Sequence, residues 1–277
     1  MNIDSHQHFW NYDPAKYSWI NDSMHKIKKD FLPSDLAPVL QKNGIGGTVA
    51  VEAFHSEKET EFLLDLASEF PFIKAVVGWV DLYSENVGSR LKMFSKNPVF
   101  KGVRHTVYDE KGEFLTENLF QKGIAALGKF GLTYDLLIFE HQLPGAIELM
   151  KKFPKQRFVL DHMAKPRISP DGPSEEWTSN IRTLAENKNV FCKVSGLVTE
   201  TPGFHREIRD FIPFLDVVVD AFGEDRLMFG SDWPVCLSAA DYEDTMAIVR
   251  DYFAAYGEES MRKLLGGNAA RCYRIPV

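Results

Sequence analysis

Cysteine is scarce in this chain of 277 residues: Cys192, Cys236 and Cys272 stand far apart and are odd in number. That excludes a disulfide framework and a CxxC metal knuckle, and points to reduced thiols in a cytoplasmic protein. Long apolar runs are missing too, and none approaches the roughly 18 residues that a membrane helix needs. Residues 1–8 lack the basic and apolar segments of a secretory signal. There is no block of Lys or Arg, and 32 basic against 39 acidic side chains leave a net charge of −7. Phosphate binding needs a basic footprint, so nucleic acid is not an expected partner, and neither is a membrane. Ser/Gly-rich linkers, low-complexity tracts and shifts of composition are absent, which argues for one domain over residues 1–277. Several catalytic signatures are absent as well: there is no GxSxG elbow, Walker loop, HExxH or zinc-finger spacing.

What is present is a regular alternation. Short apolar, β-branched runs at 2–5, 48–53, 74–80, 100–105, 133–138, 157–162, 190–195 and 226–231 read as strands. They are apolar on both faces, as buried parallel strands are. Amphipathic stretches at 33–41, 57–70, 84–94, 116–130, 144–153, 175–186, 204–222 and 242–256 read as helices, with Gly or Pro at most joins. Eight strands alternating with eight helices over about 250 residues is the arithmetic of a (β/α)8 barrel. An open doubly wound sheet needs fewer strands, and no GxGxxG follows the first one. Segment 9–31 interrupts the pattern with Phe9, Trp10, Tyr12, Tyr17, Trp19 and Phe31. It is too aromatic for a solvated linker and lies where a substrate lid would sit.

Barrels of this kind gather their chemistry at the carboxyl ends of the strands. After the first strand comes His6-Gln7-His8, two imidazoles on one side of an extended segment. After the sixth comes Asp161-His162, and after the eighth Gly230-Ser231-Asp232-Trp233-Pro234. Alone, each His or Asp reads as structural. Converging on one axis, His6, His8, His162 and Asp232 suit a divalent metal, or the positioning and deprotonation of water beside an electrophilic carbon. Arg104, ending the fourth strand, faces the mouth and suits a carboxylate or the oxygens of a polar substrate. His105 has the opposite parity and reads as structural. Lys193 inside an apolar strand is costly unless paired, so it is an ion-pair or site residue. Glu52 and His55 end the second strand and can add substrate contacts. Cys236, with no base beside it, reads as a packing residue.

Six phrases in order carry a resemblance. They are His6-Gln7-His8-Phe9-Trp10, Gly78-Trp79-Val80-Asp81-Leu82, Phe100-Lys101-Gly102-Val103-Arg104-His105, Leu160-Asp161-His162-Met163-Ala164-Lys165-Pro166, Cys192-Lys193-Val194-Ser195-Gly196 and Phe229-Gly230-Ser231-Asp232-Trp233-Pro234-Val235. The chain resembles the amidohydrolase superfamily, and within it the branch of sugar-acid lactonases, from His6 to the terminal Asn268–Tyr273. The resemblance implies a distorted (β/α)8 barrel that opens a sugar-acid lactone to the free acid. Asp232 would be the general base on water. His6, His8 and His162 would polarise the lactone carbonyl, directly or through one Zn²⁺ held by His6, His8 and Asp232 with His162 near. Arg104, Glu52 and Lys193 would contact substrate, and Trp10, Trp19 and Trp233 would wall the pocket. Strand four offers Arg104 where binuclear relatives have a bridging Lys or Glu, so at most one metal fits and none is obligatory. Two alternatives stand beside this reading: a zinc-dependent decarboxylase of the same branch, and a barrel that binds a sugar acid without turning it over.

Overall fold

In the computed structural model, which describes residues 1–105, 113–201 and 208–276, eight short runs pair in chain order into one parallel sheet. The strands are β1 (Ile3–Gln7), β2 (Gly47–Val51), β3 (Ile73–Gly78), β4 (Phe100–Arg104), β5 (Thr133–Leu136), β6 (Phe158–Leu160), β7 (Val190–Val194) and β8 (Leu227–Phe229). The sheet closes where β1 and β8 meet. There the Asp232 N–H donates to the His6 carbonyl at 2.9 Å, and the His8 N–H to the Trp233 carbonyl at 2.7 Å. Gly230 makes that approach possible, because a Cβ there would stand 2.6 Å from the Cβ of His6. Outside the sheet lie α1 (Pro33–Asn43), α2 (Glu57–Glu69), α3 (Val87–Phe94), α4 (Asn118–Phe130), α5 (Leu143–Lys152), α6 (Glu175–Ala185), α7 (Ile208–Phe222) and α8 (Tyr242–Phe253). This is the distorted (β/α)8 barrel of the sequence reading. Positions 204–207, part of the helix expected at 204–222, lie outside the described residues. Among the described residues no helix is long and apolar enough to cross a membrane.

Side-chain parity sorts the strands into two cores. Ala50, Val76, Tyr134, Phe158, Leu160, Val190, Cys192, Leu227 and Phe229 pack outward against the helices. Their alternates Ile3, Val49, Val51, Ala75, Val77, Val159, Phe191 and Met228 form a second cluster inside the barrel. That inner cluster is completed by Ala269, Ala270, Cys272, Tyr273 and Ile275. They come from α10 (Asn268–Tyr273) and the residues after it, which follow α9 (Glu258–Arg262); neither helix appears in the expected alternation. Continuing the inward parity up the strands reaches Arg104, Asp135, Asp161 and Lys193, so a charged layer lies above the apolar one.

Three strand boundaries that matter for the site differ from the expectation. β1 runs Ile3–Gln7 rather than 2–5, placing His6 within the strand, with an irregular register against β2 between Asp4 and Gln7. β6 and β8 stop at Leu160 and Phe229, before the expected 162 and 231. Beyond them the backbone turns left-handed at His162, Met163, Ala164 and Lys165, and at Asp232. A strand cannot continue through such residues, and the turn swings both site side chains over the mouth.

The segment 9–31 is clipped at its ends by reciprocal Trp10–Phe31 backbone hydrogen bonds of 3.0 and 2.9 Å. Phe9, Trp10, Tyr17, Ile20, Ile27 and Phe31 are buried within or beneath it, so it is a packed cap.

Candidate active site

At the carboxyl ends of the strands lies a cavity of about 350 Å³. The cap supplies Trp19, Asn21, Ser23 and Met24; the loop after β5 supplies Leu137, Ile138, Phe139 and Gln142. His8, Glu52, Ala53, His55, Arg104, His162, Lys165, Thr199, Glu200, Asp232 and Val235 complete the lining.

Three donor atoms form a triangle at its floor. His6 Nε2 and His8 Nε2 are 3.2 Å apart, and Asp232 Oδ1 lies 3.7 and 3.3 Å from them. His8 Nδ1 stands 2.8 Å from the Val51 carbonyl, which only accepts, so the ring proton sits on Nδ1 and Nε2 offers its lone pair. In a tetrahedral zinc site with Zn–N of about 2.0–2.1 Å, neighbouring ligand atoms are about 3.3 Å apart. The triangle fits one such ion, and His6, His8 and Asp232 form a group that can hold a metal. His162 approaches Asp232 Oδ1 only to 4.0 Å, with Nδ1 against Ser195 Oγ at 2.8 Å. Gly196 leaves room for that ring: its φ is +68°, and a Cβ would meet His162 Nδ1 at 2.8 Å.

Electrostatics keep His6 and His162 neutral and the Asp232 carboxylate charged. Burial, with the positive charge of Lys193, pushes His6 well below its ordinary value. Burial likewise lowers His162 to about 4 against the pull of Asp232 and Asp161. Burial alone would raise Asp232, but the adjoining imidazoles, His162 first and then His8 and His6, hold it well below the carboxylate range. Neutral imidazole is the form that ligates metal.

Beneath the triangle lies a fully buried ionic layer. Lys193 Nζ donates to Asp135 Oδ2 at 2.7 Å and lies 2.9 Å from Asp161 Oδ1 and 3.1 Å from His6 Nδ1. Asp161 also approaches His6 Nδ1 at 3.4 Å and Arg104 Nη1 at 3.3 Å. From below, the Tyr273 hydroxyl donates to Asp135 Oδ2 at 2.5 Å. Burial disfavours the Asp161 charge, yet Lys193, His6 and Arg104 outweigh it and depress the carboxyl far below its usual range. A second support is Asp4, which accepts from the backbone of His6 and Ser231, from Ser231 Oγ at 2.6 Å and from Tyr242 at 3.0 Å. It fixes the turn that carries Asp232.

The structure separates the expected residues. His6, His8, His162 and Asp232 come together, and Glu52, Arg104 and Trp19 line the cavity. Arg104 is largely committed: Nε donates to Glu52 Oε1 at 2.8 Å, Nη2 to the Glu52 carbonyl, and Nη1 faces Asp161 and His6. One Nη2 hydrogen is left for substrate. Lys193 is not in the cavity wall; it is fully buried as an ion-pair centre, because its parity and long stem carry the ammonium into the charged layer. Trp10 and Trp233 do not wall the pocket either. Trp10 is fully buried, its indole N–H on the Lys29 carbonyl at 2.9 Å. Trp233 packs edge-on against Phe31 and Phe9 beneath the cap. Asp135, Asp161 and Asp4 received no role from sequence; inward parity marks the first two, while no sequence signal marks Asp4.

A closed parallel barrel with imidazoles and an ionised carboxylate at the carboxyl ends of its strands defines a hydrolase-type mouth site. The chain matches the amidohydrolase family over residues 3–275 and belongs to it. It is 39% identical over its full length to an L-fucono-1,5-lactonase of Burkholderia multivorans, covering 97% of that protein. It is 36% identical to an L-fucono-1,5-lactonase of Burkholderia ambifaria, over 99% of this chain and 95% of that one. A crystal structure of an amidohydrolase from Burkholderia multivorans with bound zinc superposes with a TM-score of 0.95 at 38% identity, over 100% of both chains.

Proposed function

We propose that the protein hydrolyses a sugar-acid lactone, L-fucono-1,5-lactone or a close stereoisomer, to the free aldonic acid in the cytoplasm. The observation that carries this is the His6–His8–Asp232 triangle at the floor of a cavity with both apolar and hydrogen-bonding walls, in a chain similar over its length to two such lactonases. A zinc ion held by His6, His8 and Asp232 would supply Lewis-acid polarisation of the lactone carbonyl. Asp232, ionised, accepts a proton from the attacking water and returns it to the ring oxygen as the C–O bond breaks. His162, with Nδ1 2.8 Å from the Ser195 hydroxyl, turns Nε2 toward Asp232, and a proton held there would meet the developing carbonyl charge. Arg104 holds Glu52 and Asp161 in place and has one hydrogen for a substrate oxygen.

The test is acid release followed with a pH indicator over a panel of aldonolactones, with zinc-supplemented protein and a buffer blank. Hydrolysis of an L-fuconolactone-like member well above the blank is the expected result. Carbon dioxide from an aromatic acid would favour the decarboxylase, and binding of a sugar acid without turnover of any lactone would favour the non-catalytic barrel.

A further inference from the structure

Glu59, in the first turn of α2, is 93% buried and has no part in the chemistry above. One carboxylate oxygen accepts the N–H groups of Ala53 and Phe54 at 2.7 and 3.1 Å. The other accepts the hydroxyl of Tyr17, a cap residue, at 3.0 Å. Ala53 lines the cavity, and its carbonyl in turn accepts the indole N–H of Trp19, a cap residue that also lines it, at 3.1 Å. The cap is therefore tied to the loop after β2 at two adjoining points, through Glu59 by Tyr17 and directly by Trp19. Trp19, Asn21, Ser23 and Met24 reach the cavity only by virtue of how the cap sits.

We propose that Glu59 is a positioning residue that seats the aromatic cap on the cavity, so that the walls supplied by the cap are in place only while the Tyr17–Glu59–Ala53 connection holds. The proposal rests on the lactonase reading only for its kinetic assay. The titratable groups around Glu59 are Tyr17, which also feels Asp13 of the cap, and Glu52 at the end of β2. Glu57 of the same helix is taken up by Arg90, Nε to Oε2 at 2.9 Å. Burial pushes the Glu59 carboxyl up to about 7 and the charge of Glu52 adds to the rise, against the hydrogen bonds from Ala53, Tyr17 and Phe54. With the cap lifted the carboxyl meets water and returns toward its ordinary value. The seated cap therefore binds the proton more tightly: its population relative to the lifted form falls by up to about tenfold per unit as pH rises from the ordinary carboxyl range to about 7, and levels off above that, where the carboxyl is ionised in both states.

Two readouts test this on the full-length protein. The first is KM and kcat on the best aldonolactone between pH 6 and 8, for wild type, Glu59→Gln and Glu59→Ala. Glutamine can keep both connections, its oxygen accepting from Ala53 and Phe54 and its amide donating to Tyr17, but it does not ionise. The wild-type KM is expected to rise severalfold across this range while that of E59Q stays flat. E59A should have a raised KM at every pH, with kcat changing less than KM. The second is hydrogen–deuterium exchange of segment 9–31, corrected for intrinsic rates, at pH 6 and 8. Protection should fall with pH in wild type, stay constant in E59Q and be low throughout in E59A. A wild-type pH profile retained by E59Q in both readouts overturns the proposal, as does loss of kcat without a change of KM in E59A. If wild type hydrolyses no lactone, the functional reading fails, and the exchange data decide the role of Glu59 by themselves.

Discussion

Lys193→Met puts the buried ionic layer to its hardest test. Lys193 is fully buried between Asp135 and Asp161, with Nζ within 2.7 and 2.9 Å of the two carboxylates. Methionine matches the stem in length and leaves both acids without their shared cation. Removing one partner of a buried ion pair costs about 3–5 kcal/mol. For a domain of this size, 1 kcal/mol moves Tm by about 2 °C, so the variant should melt about 6–10 °C lower near neutral pH. The pH dependence has a definite sign. In wild type Lys193 holds Asp161 depressed, against the penalty of burial, and that contribution is present above the unfolded carboxylate pKa and lost as pH falls. In the variant at least one of the two acids takes up a proton and stays neutral well above that value. The gap between wild type and variant should thus be widest above pH 7 and narrow toward pH 5. Thermal melts at pH 5 and 8 read it, with K193M/D135N recovering part of the loss. Equal Tm at pH 8, or a deficit that ignores pH, would refute the reasoning. A raised KM with unchanged stability would return Lys193 to the substrate site.

Asp232→Asn should lower kcat by about 10²–10⁴-fold. Asn tolerates the left-handed backbone at φ 58, so the melt should stay near wild type, and near-normal turnover would remove Asp232 from the mechanism. Elemental analysis of protein purified without chelators should find no more than one zinc per chain. Among the described residues the other group that could hold a metal, His6–Asp161–His162, shares His6 and uses an aspartate already claimed by Lys193 and Arg104, so two equivalents would contradict a single-ion site. Gly196→Ala should cut kcat and destabilise by about 1–3 kcal/mol, since it strains a positive φ and drives a methyl into His162; unchanged kinetics would show that the ring has room to move.

The barrel was legible because short runs apolar on both faces, as buried parallel strands are, and the 3.6-residue stripes of helices survive in local sequence. The gathering of His6, His8, His162 and Asp232 was legible because strand ends in such a barrel converge whatever their separation along the chain. What local sequence does not encode is which inward charge meets which. Lys193 needs Asp135, 58 residues earlier, and Asp161, and only the closed sheet brings them together. The tryptophans misled for a similar reason. An aromatic near a strand end can face the mouth, as Trp19 does, or be turned under the cap, as Trp10 and Trp233 are, and the Trp10–Phe31 pairing that decides it is non-local. The helices α9 and α10 escaped because they add no strand to the alternation.

The floor of the barrel has a consequence for the order of assembly. Tyr273 touches Asp135 from below, while His6 touches Lys193 from the side, so α10 and β1 meet across a single layer of charge. During synthesis β1 is made long before the closing tyrosine of α10. Every nascent barrel must therefore hold Asp135 without its hydroxyl donor, and the inner cluster without Ala269, Ala270 and Cys272, until the final helix docks. A functional site is in this sense a late product of folding. Truncation at residue 267 should yield a chain that has most of its strands yet neither a settled His6 nor a sharp melting transition.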